Sequence, residues 1–423
     1  MPSLTDLPNE LLMEIASCGF SPALDMTSKS HHGLLNLILM SHQWRQVVEP
    51  YLYQHIHLSF QWGPCQDFSC SLILLICTLL DCPELSEPCR SLSLHMNLQD
   101  VFRNPEDNEL IEIDPVDDIM TPVIKNDLSN NDRFQSALTD LGTYIVFLLD
   151  LLPKLDALII LNIPLFSIGC FAFNVDPKYG FQIPAGLQSI TQLFIKPLSP
   201  LMSSLQYSFL PALVTLPSLR QLTLDRHRGF SPLHCKDGQA QTDLVGTSSL
   251  VSFHASGSNF TSESLAHILE IPIHLKSINL NCCSFLKFNM HLCSKPCPFG
   301  SMGSFAEFSQ LQHLCIPCHY LLGKVPSPKE FSQHLDEFSH MFFTLLPTSL
   351  EELEVWIDRD WNPRTFVAFI GGAQNKATWG YWWQKHLPCL KRFVIHVRKN
   401  QHQTWCMSEL ELFGIEVVLE FWS

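Results

Sequence analysis

Apolar residues recur along the chain in a six-residue pattern, L-x-x-L-x-[LIV]. The clearest copies begin at Leu155, Leu219, Leu275, Leu311, Leu350 and Leu390, looser ones at Ile190 and Leu250, and an early one at Cys89. From Leu155 onward, successive copies start 35, 29, 31, 25, 36, 39 and 40 residues apart. Periods of this size indicate stacked supersecondary units that share one continuous core.

Each copy has the alternation of a short strand. In the copy at Leu219, Leu222 and Leu224 face one side, while Gln221 and Thr223 face the other. Amphipathic helices are predicted before several strands, over Ser136 to Leu152, Leu201 to Val214, Ser262 to Glu270, Phe331 to Leu346 and Thr378 to His386. A repeated helix and strand requires parallel strands with helices on one face. The prediction is an α/β fold with a parallel sheet.

This motif resembles the irregular leucine-rich repeat that is common in F-box proteins, and the resemblance implies a leucine-rich-repeat solenoid. The asparagine of strict leucine-rich repeats is mostly missing here, and Asn281 is the nearest candidate. The alternative is an unrelated α/β domain with leucine-rich strands.

The first fifty residues carry a different, helical pattern. Pro8 suits the first turn of a helix, and Leu7, Leu11, Leu12 and Ile15 form one apolar stripe. A polar segment over residues 19–30 breaks this helix, and a second apolar run leads into the motif S-x-x-W-R that ends at Arg45. So much apolar surface on so short a segment predicts that part of it faces a partner.

The paired motifs resemble the F-box, a three-helix module that docks a eukaryotic protein onto the Skp adaptor of a cullin-RING (SCF-type) ubiquitin ligase; the whole chain resembles a fungal-type F-box protein. The resemblance places nine residues in the adaptor-binding or module-core set: Leu7, Pro8, Leu11, Leu12, Ile15, Leu34, Leu37, Trp44 and Val48. Gly33 stands where the family usually has an acidic residue, and the polar gap is longer than typical. The alternative is a helical hairpin that caps a larger domain.

We therefore divide the chain into three parts: a helical module over 1–60, a linker with a first irregular repeat and an acidic loop over 61–135, and the repeats with an aromatic C-terminal end over 136–423. Residues 100–132 are read as the solvated acidic loop, with an acidic docking strip as the alternative. The aromatic stretch from Trp361 to Trp383 is expected to cover the open end of the repeats rather than to anchor an interface.

Composition narrows the function classes. The chain of 423 residues is 46% hydrophobic and 16% charged, which excludes a disordered adaptor. Its net charge of −15 argues against binding nucleic acid or an anionic membrane. We expect neither a secretory signal nor a membrane span, so the protein is predicted to be cytoplasmic or nuclear, with its 16 cysteines as free thiols.

The predicted pleat also identifies a candidate substrate-binding face. Its members are the outward residues of successive strands: Gln221, Thr223, Asp225, His254, Asn279, His313, Glu352, Glu354, Trp356 and Arg392. The variety of these side chains suits a protein surface rather than one small molecule. The plainer alternative is that they form only the solvated side of a sheet.

Motifs for catalysis are missing: the sequence has no G-x-G-x-x-G, Walker loop, H-E-x-x-H or G-x-S-x-G. Cys282, Cys283, Cys293 and Cys297, with the C-x-x-C at Cys315 and Cys318, do not have the paired spacing of a zinc site. We therefore predict no cofactor, no metal and no catalytic residue; the alternative is a zinc site in which Cys282 and Cys315 approach each other across neighbouring units. The resulting hypothesis is a non-enzymatic substrate-recognition adaptor of a ubiquitin ligase, with partners Skp, cullin and an unknown protein substrate. The alternatives are a leucine-rich-repeat protein-binding scaffold not attached to a ligase, and an enzyme hidden in the α/β portion.

Overall fold

A computed structural model describes residues 11–12, 39, 41–61, 70–97, 132–163, 183–196, 213–225, 248–256, 265, 268–281, 304–322, 342–357, 366, 383–398 and 415–422. The chain divides into two units, Met1–Gln192 and Leu193–Ser423. Within each unit, neighbouring strands of the sheet are also neighbours in sequence.

Unit 1 alternates helices with parallel strands. Its elements are α1 (His42–Gln54), β1 (His55–Gln61), α2 (Cys70–Asp81), a 3-10 turn (Pro83–Leu85), β2 (Ser91–Asn97), α3 (Asp132–Asp150), β3 (Ala157–Leu161) and α4 (Ala185–Ser189). The pairings β1–β2 and β2–β3 are parallel. Helix α1 begins where the Ser41 hydroxyl accepts a 3.2 Å hydrogen bond from the amide of Trp44, which is a typical N-cap.

Unit 2 contains most of the described strands. Its strands are β4 (Gln192–Lys196, which starts at the last residue of unit 1), β5 (Gln221–Asp225), β6 (Ser252–Ser256), β7 (Ser277–Asn279), β8 (His313–Pro317), β9 (Glu352–Trp356), β10 (Arg392–Arg398) and β11 (Glu416–Trp422). A short helix, α5 (Cys318–Leu322), follows β8. The pairings from β5 to β11 are all parallel. The described residues of the two units thus contain eleven strands.

A regular backbone ladder joins consecutive repeats. The carbonyl of Arg220, the second residue of its motif, accepts hydrogen bonds from Val251 and Ser252 at 2.8 and 2.9 Å. The carbonyl of Val251 accepts in the same way from the amides of Lys276 and Ser277, and the pattern continues to β10. Each of these repeats is therefore joined to the previous one by the same main-chain hydrogen bonds.

The inward side chains of the strands form the core. Leu222 and Leu224 are completely buried, as the alternation predicts. Near β10 the core is aromatic: the ring of Phe343 lies 5.1 Å from that of Trp383, which lies 5.5 Å from that of Phe393. Phe366 is also buried, 6.5 Å from Phe342. The two described members of the predicted aromatic stretch, Phe366 and Trp383, therefore fill the core of unit 2.

The predicted α/β class with a parallel sheet is confirmed. All nine L-x-x-L-x-[LIV] motifs lead into a strand that begins two residues after the motif starts. The predicted helix over Ser136 to Leu152 corresponds to α3, and the four others overlap helical residues at 213–214, 265, 268–270, 342–344 and 383–386. The acidic loop lies outside the described residues except for Asp132. Strands β1 and β11 were not predicted.

Among the described helices, none combines the length and apolar character that crossing a bilayer requires.

Candidate protein-binding face

The outward residues of unit 2 line up in three rows across the sheet. The first row is Gln221, Ser252, Ser277, His313, Glu352, Arg392 and Glu416. The second runs through Thr223, His254, Asn279, Cys315, Glu354, Val394 and Val418. The third includes Asp225 with Ser256, and Pro317, Trp356, His396 and Glu420. The structure thus brings all ten residues of the predicted substrate-binding set onto one face.

Alternating charges mark the first row from β8 to β11. His313 Nδ1 lies 3.2 Å from Glu352 Oε2, and Arg392 donates to the other oxygen of the same carboxylate. Arg392 Nε also lies 3.6 Å from Glu416 Oε2. These partners raise the pKa of Arg392, the hydrogen bond to Glu352 contributing most. The guanidinium is thus shared between two carboxylates, and the 67% exposed Glu416 leaves acceptor capacity facing solvent.

One residue before this row, Lys391 donates to the Glu351 carboxylate. That hydrogen bond and the accompanying charge hold the pKa of Glu351 below its usual value and raise the pKa of Lys391. Exposed pairs of this kind stabilise a fold only weakly. They do fix the positions of the charges that a partner would meet.

The third row contains a buried histidine. His396 is 7% exposed, with Nε2 3.1 Å from Glu354 Oε2 and Nδ1 3.2 Å from Glu420 Oε2. The imidazole stacks on Trp356 with ring centroids 3.8 Å apart and planes inclined by 5°. The indole N–H of Trp356 donates to Cys315 Sγ at 3.1 Å. Side chains from four strands, β8 to β11, therefore form one connected network.

The opposite end of the face is less charged. Lys196 Nζ lies 3.2 Å from Asp225 Oδ2. Burial lowers the pKa of His254, and the nearby carboxylate of Asp225 opposes that shift only in part. Asn279 Oδ1 is buried and lacks a hydrogen-bond partner among the described residues.

Burial separates the outward residues into two groups. Gln221 and His313 are exposed, and most others in the predicted set are half-buried. Cys315, Val394 and His396 point outward from their strands but are buried. A partner would therefore meet mainly the first row, at the amino ends of the strands.

The helical module also has distinct core and surface positions. Leu12, Trp44 and Val48 are completely buried and form a core with Val47. Leu11, next to Leu12, is 46% exposed. Leu7, Pro8, Ile15, Leu34 and Leu37 lie outside the described residues. Of the described members of the predicted adaptor set, three therefore pack inside the module and Leu11 reaches its surface.

Sequence reasoning missed three residues of interest. Leu39 is helical and 83% exposed. Glu416 and Glu420 belong to β11, which has no leucine motif. The available signal was a largely β-branched apolar run, Val417 to Leu419, flanked by Glu416 and Glu420.

The described residues contain no group of three or more His, Cys, Asp or Glu side chains arranged to hold a metal ion. Cys315 and Cys318 are buried, and neither forms a disulfide within the described residues. Cys282, Cys283, Cys293 and Cys297 lie outside the described residues.

No protein-family model matches the chain, and no curated protein matches it. Among solved structures the chain is similar to "Crystal structure of TLR13-ssRNA13 complex", with a TM-score of 0.28 and 13% sequence identity over 59% of this chain and 30% of that chain. The match thus spans less than a third of that protein's chain. The fold assignment rests on the strands themselves: eleven described strands, parallel wherever their register is described, consistent with a leucine-rich-repeat-like α/β architecture.

Proposed function

We propose that the protein is a substrate-recognition adaptor of a cullin-RING (SCF-type) ubiquitin ligase. In this proposal the N-terminal helices are an F-box module that docks on the Skp adaptor. The repeats form a leucine-rich-repeat solenoid whose outward face holds a protein substrate.

The observation that carries the docking proposal is the exposure of Leu11 beside a closed core. Leu12, Trp44, Val47 and Val48 already form that core, so Leu11 is not needed to complete it. Leu39 is even more exposed. In the proposal, Leu11 and Leu39 supply apolar surface that the Skp adaptor covers, since exposed apolar patches mark interaction sites.

The outward face of the sheet supports the proposal that the repeats hold a protein substrate. Its first row offers charged and polar groups at fixed positions, held by ion pairs between neighbouring strands. Side chains that differ from strand to strand are typical of a protein-binding surface, and the net charge of −15 does not favour nucleic acid.

The mechanism is proximity. The docked module and the substrate-bearing face belong to one chain, so a bound substrate meets the ubiquitin-loaded partner at high effective concentration. No residue of this chain performs bond chemistry in the proposal.

The test is a pull-down of the tagged full chain from a eukaryotic lysate, followed by quantification of Skp and cullin. Leu11→Ala should reduce their recovery at least about tenfold, since an anchor residue at an interface contributes about 2 kcal/mol or more. Its circular dichroism spectrum should match that of the parent, because Leu11 lies outside the module core.

Leu12→Ala is the matched control, one residue away but buried. It should lower the thermal stability of the chain, whereas Leu11→Ala should not. If parent and Leu11→Ala recover neither partner, the ligase proposal fails and a free-standing repeat scaffold becomes the better explanation.

A further inference from the structure

The contacts of His396 require a particular protonation state. Both of its ring nitrogens lie within hydrogen-bond distance of carboxylate oxygens, on Glu354 of β9 and Glu420 of β11. A neutral imidazole has one N–H donor and one lone pair, and only the imidazolium can donate from both nitrogens. The two contacts are therefore satisfied together when His396 is positively charged.

We infer that His396 is a proton-dependent latch that holds β11 to the outward side of the sheet. The protonated imidazole bridges Glu354 and Glu420, and loss of its proton opens one bridge and loosens β11. This inference does not depend on whether the chain docks to a ligase.

The deprotonated state is disfavoured by the geometry. A lone pair on either nitrogen would face a carboxylate oxygen at 3.1 or 3.2 Å, where the two acceptors repel each other. The stacked face of Trp356 adds to this preference, because an aromatic face attracts a cation.

Strand β11 is the element most sensitive to this change. It has one described neighbour, β10, whereas β10 pairs on both sides, with β9 and β11. Its side chains are exposed or half-buried from Glu416 to Phe421, while Leu353 and Val355 on β9 are completely buried. With less core packing, β11 depends more on side-chain bridges.

The other charged and titratable groups around His396 determine whether the latch opens as the pH rises or as it falls. Glu354 and Glu420 face His396 from β9 and β11, Arg392 lies on the same strand, and Cys315 contributes from β8 through Trp356 and Glu354. The hydrogen bond from His396 holds the pKa of Glu354 below its ordinary value, although burial opposes this shift. The carboxylate therefore stays charged in mild acid, so the latch is closed there and opens as the pH rises.

The experiment is hydrogen–deuterium exchange of the full chain, read by mass spectrometry at about pH 6 and about pH 8.5, on either side of the usual range of histidine titration. Exchange times are scaled for the intrinsic effect of pH on amide exchange. Peptides over β11 should lose protection about tenfold at the higher pH, since a lost charged hydrogen bond changes an equilibrium by that order. Peptides over β5 and β6 serve as the reference and should not change.

The decisive variant is His396→Gln, which cannot be charged. Its β11 exchange should differ less than about twofold between the two pH values, well below the tenfold change that one pKa unit represents. His313→Gln is the matched control, because His313 also contacts a glutamate but is exposed, and it should keep the response of the parent.

If the reference peptides show that His396→Gln disturbs the whole of unit 2, Glu420→Gln replaces it, since this variant removes only the outer carboxylate charge. It should weaken β11 at the lower pH and reduce the response. The inference is overturned if β11 of the parent is equally protected at both pH values. It is also overturned if either variant keeps the full response of the parent.

Discussion

Gly186 on α4 is the position at which one added methyl group tests the packing of unit 1. An ideal Cβ there would lie 2.5 Å from the carbonyl oxygen of Leu149 and 2.9 Å from that of Leu152. Both are backbone atoms, one in the last turn of α3 and the other two residues beyond its end, and they cannot turn aside as a flexible side chain could. Gly186→Ala therefore forces the two helices apart.

Two effects of opposite sign determine the result. Alanine is favoured over glycine inside a helix by about 1 kcal/mol. Overpacking a tight contact costs about 1–3 kcal/mol, and contact with rigid backbone belongs to the upper part of that range. Moving α4 would also stretch the 3.1 Å bond from the Ala185 amide to Asp150 and the 2.7 Å bond from Ser189 Oγ to the Leu155 carbonyl. When the overpacking cost and the weakened hydrogen bonds are set against the gain in helix propensity, we expect a net destabilisation of about 1–3 kcal/mol.

The assay is urea unfolding followed by circular dichroism, with hydrogen exchange of peptides over 141–152 and 183–192 to assign the change to unit 1. Gln188→Ala is the control on the same helix. Its side chain is exposed, and the hydrogen bond that it donates to the Ile183 carbonyl is open to water, so the free energy of unfolding should move by no more than about 0.5 kcal/mol. If Gly186→Ala stabilises the protein, helix propensity alone decides the outcome and the close approach of α4 to α3 is refuted.

Three further predictions concern thiol chemistry, acid sensitivity and the aromatic core. Burial raises the pKa of the Cys89 thiol to about 12, so peptide mass spectrometry after brief iodoacetamide treatment of the native protein should find Cys89 unmodified and the exposed Cys77 labelled. Because the pKa of Glu354 is lowered, its carboxylate stabilises the fold above its unfolded-state pKa, and this contribution is lost as the pH falls through its folded-state pKa. Glu354→Gln should therefore flatten the acid side of a plot of urea midpoint against pH, and an unchanged slope would contradict the assigned shift. Phe343→Ala should cost about 3–5 kcal/mol in urea unfolding and Phe343→Leu clearly less, whereas equal losses would place the ring outside the packed core.

The strands could be predicted because the alternation that identifies each of them lies within a few consecutive residues. In each motif, apolar residues alternate over a few positions, and the structure buries both Leu222 and Leu224 as that alternation requires. The nine strands that follow a motif were found in this way. The order of the strands then follows from sequence order, because parallel neighbours joined by helical crossovers are usually adjacent.

Strands β1 and β11 escaped prediction because Tyr53 and Gly414 stand where a motif leading into them would begin. In β11, Val417 and Leu419 stand at the fourth and sixth positions that the motif would have, but Val418 between them is apolar too, so the polar alternation seen in β5 is missing. Both strands lie at the ends of the strand order, so each has a described neighbour on one side only. An end strand buries less surface, and its sequence is correspondingly less constrained.

The alternation predicts which side chains point outward from the strands, but it does not predict which of them are exposed to solvent. Cys315 and His396 lie on the outward side of their strands, two and four residues after His313 and Arg392, as the alternation requires. The alternation could not reveal that both are buried, because their burial depends on neighbours that are distant in sequence, such as Trp356 stacked over His396. The pairing of His396 with two glutamates on different strands could not be predicted for the same reason.

The backbone ladder explains how so irregular a sequence keeps a regular sheet. The carbonyl of the second motif residue accepts two amides of the next repeat whether that residue is Arg220, Val251 or Lys276. Because main-chain atoms make these bonds, the side chain at that position is free to vary. The spacing between motifs also varies, from 25 to 40 residues, without changing the register of the strands. Insertions therefore accumulate between the motifs, while the leucines and the ladder maintain the face on which a partner would bind.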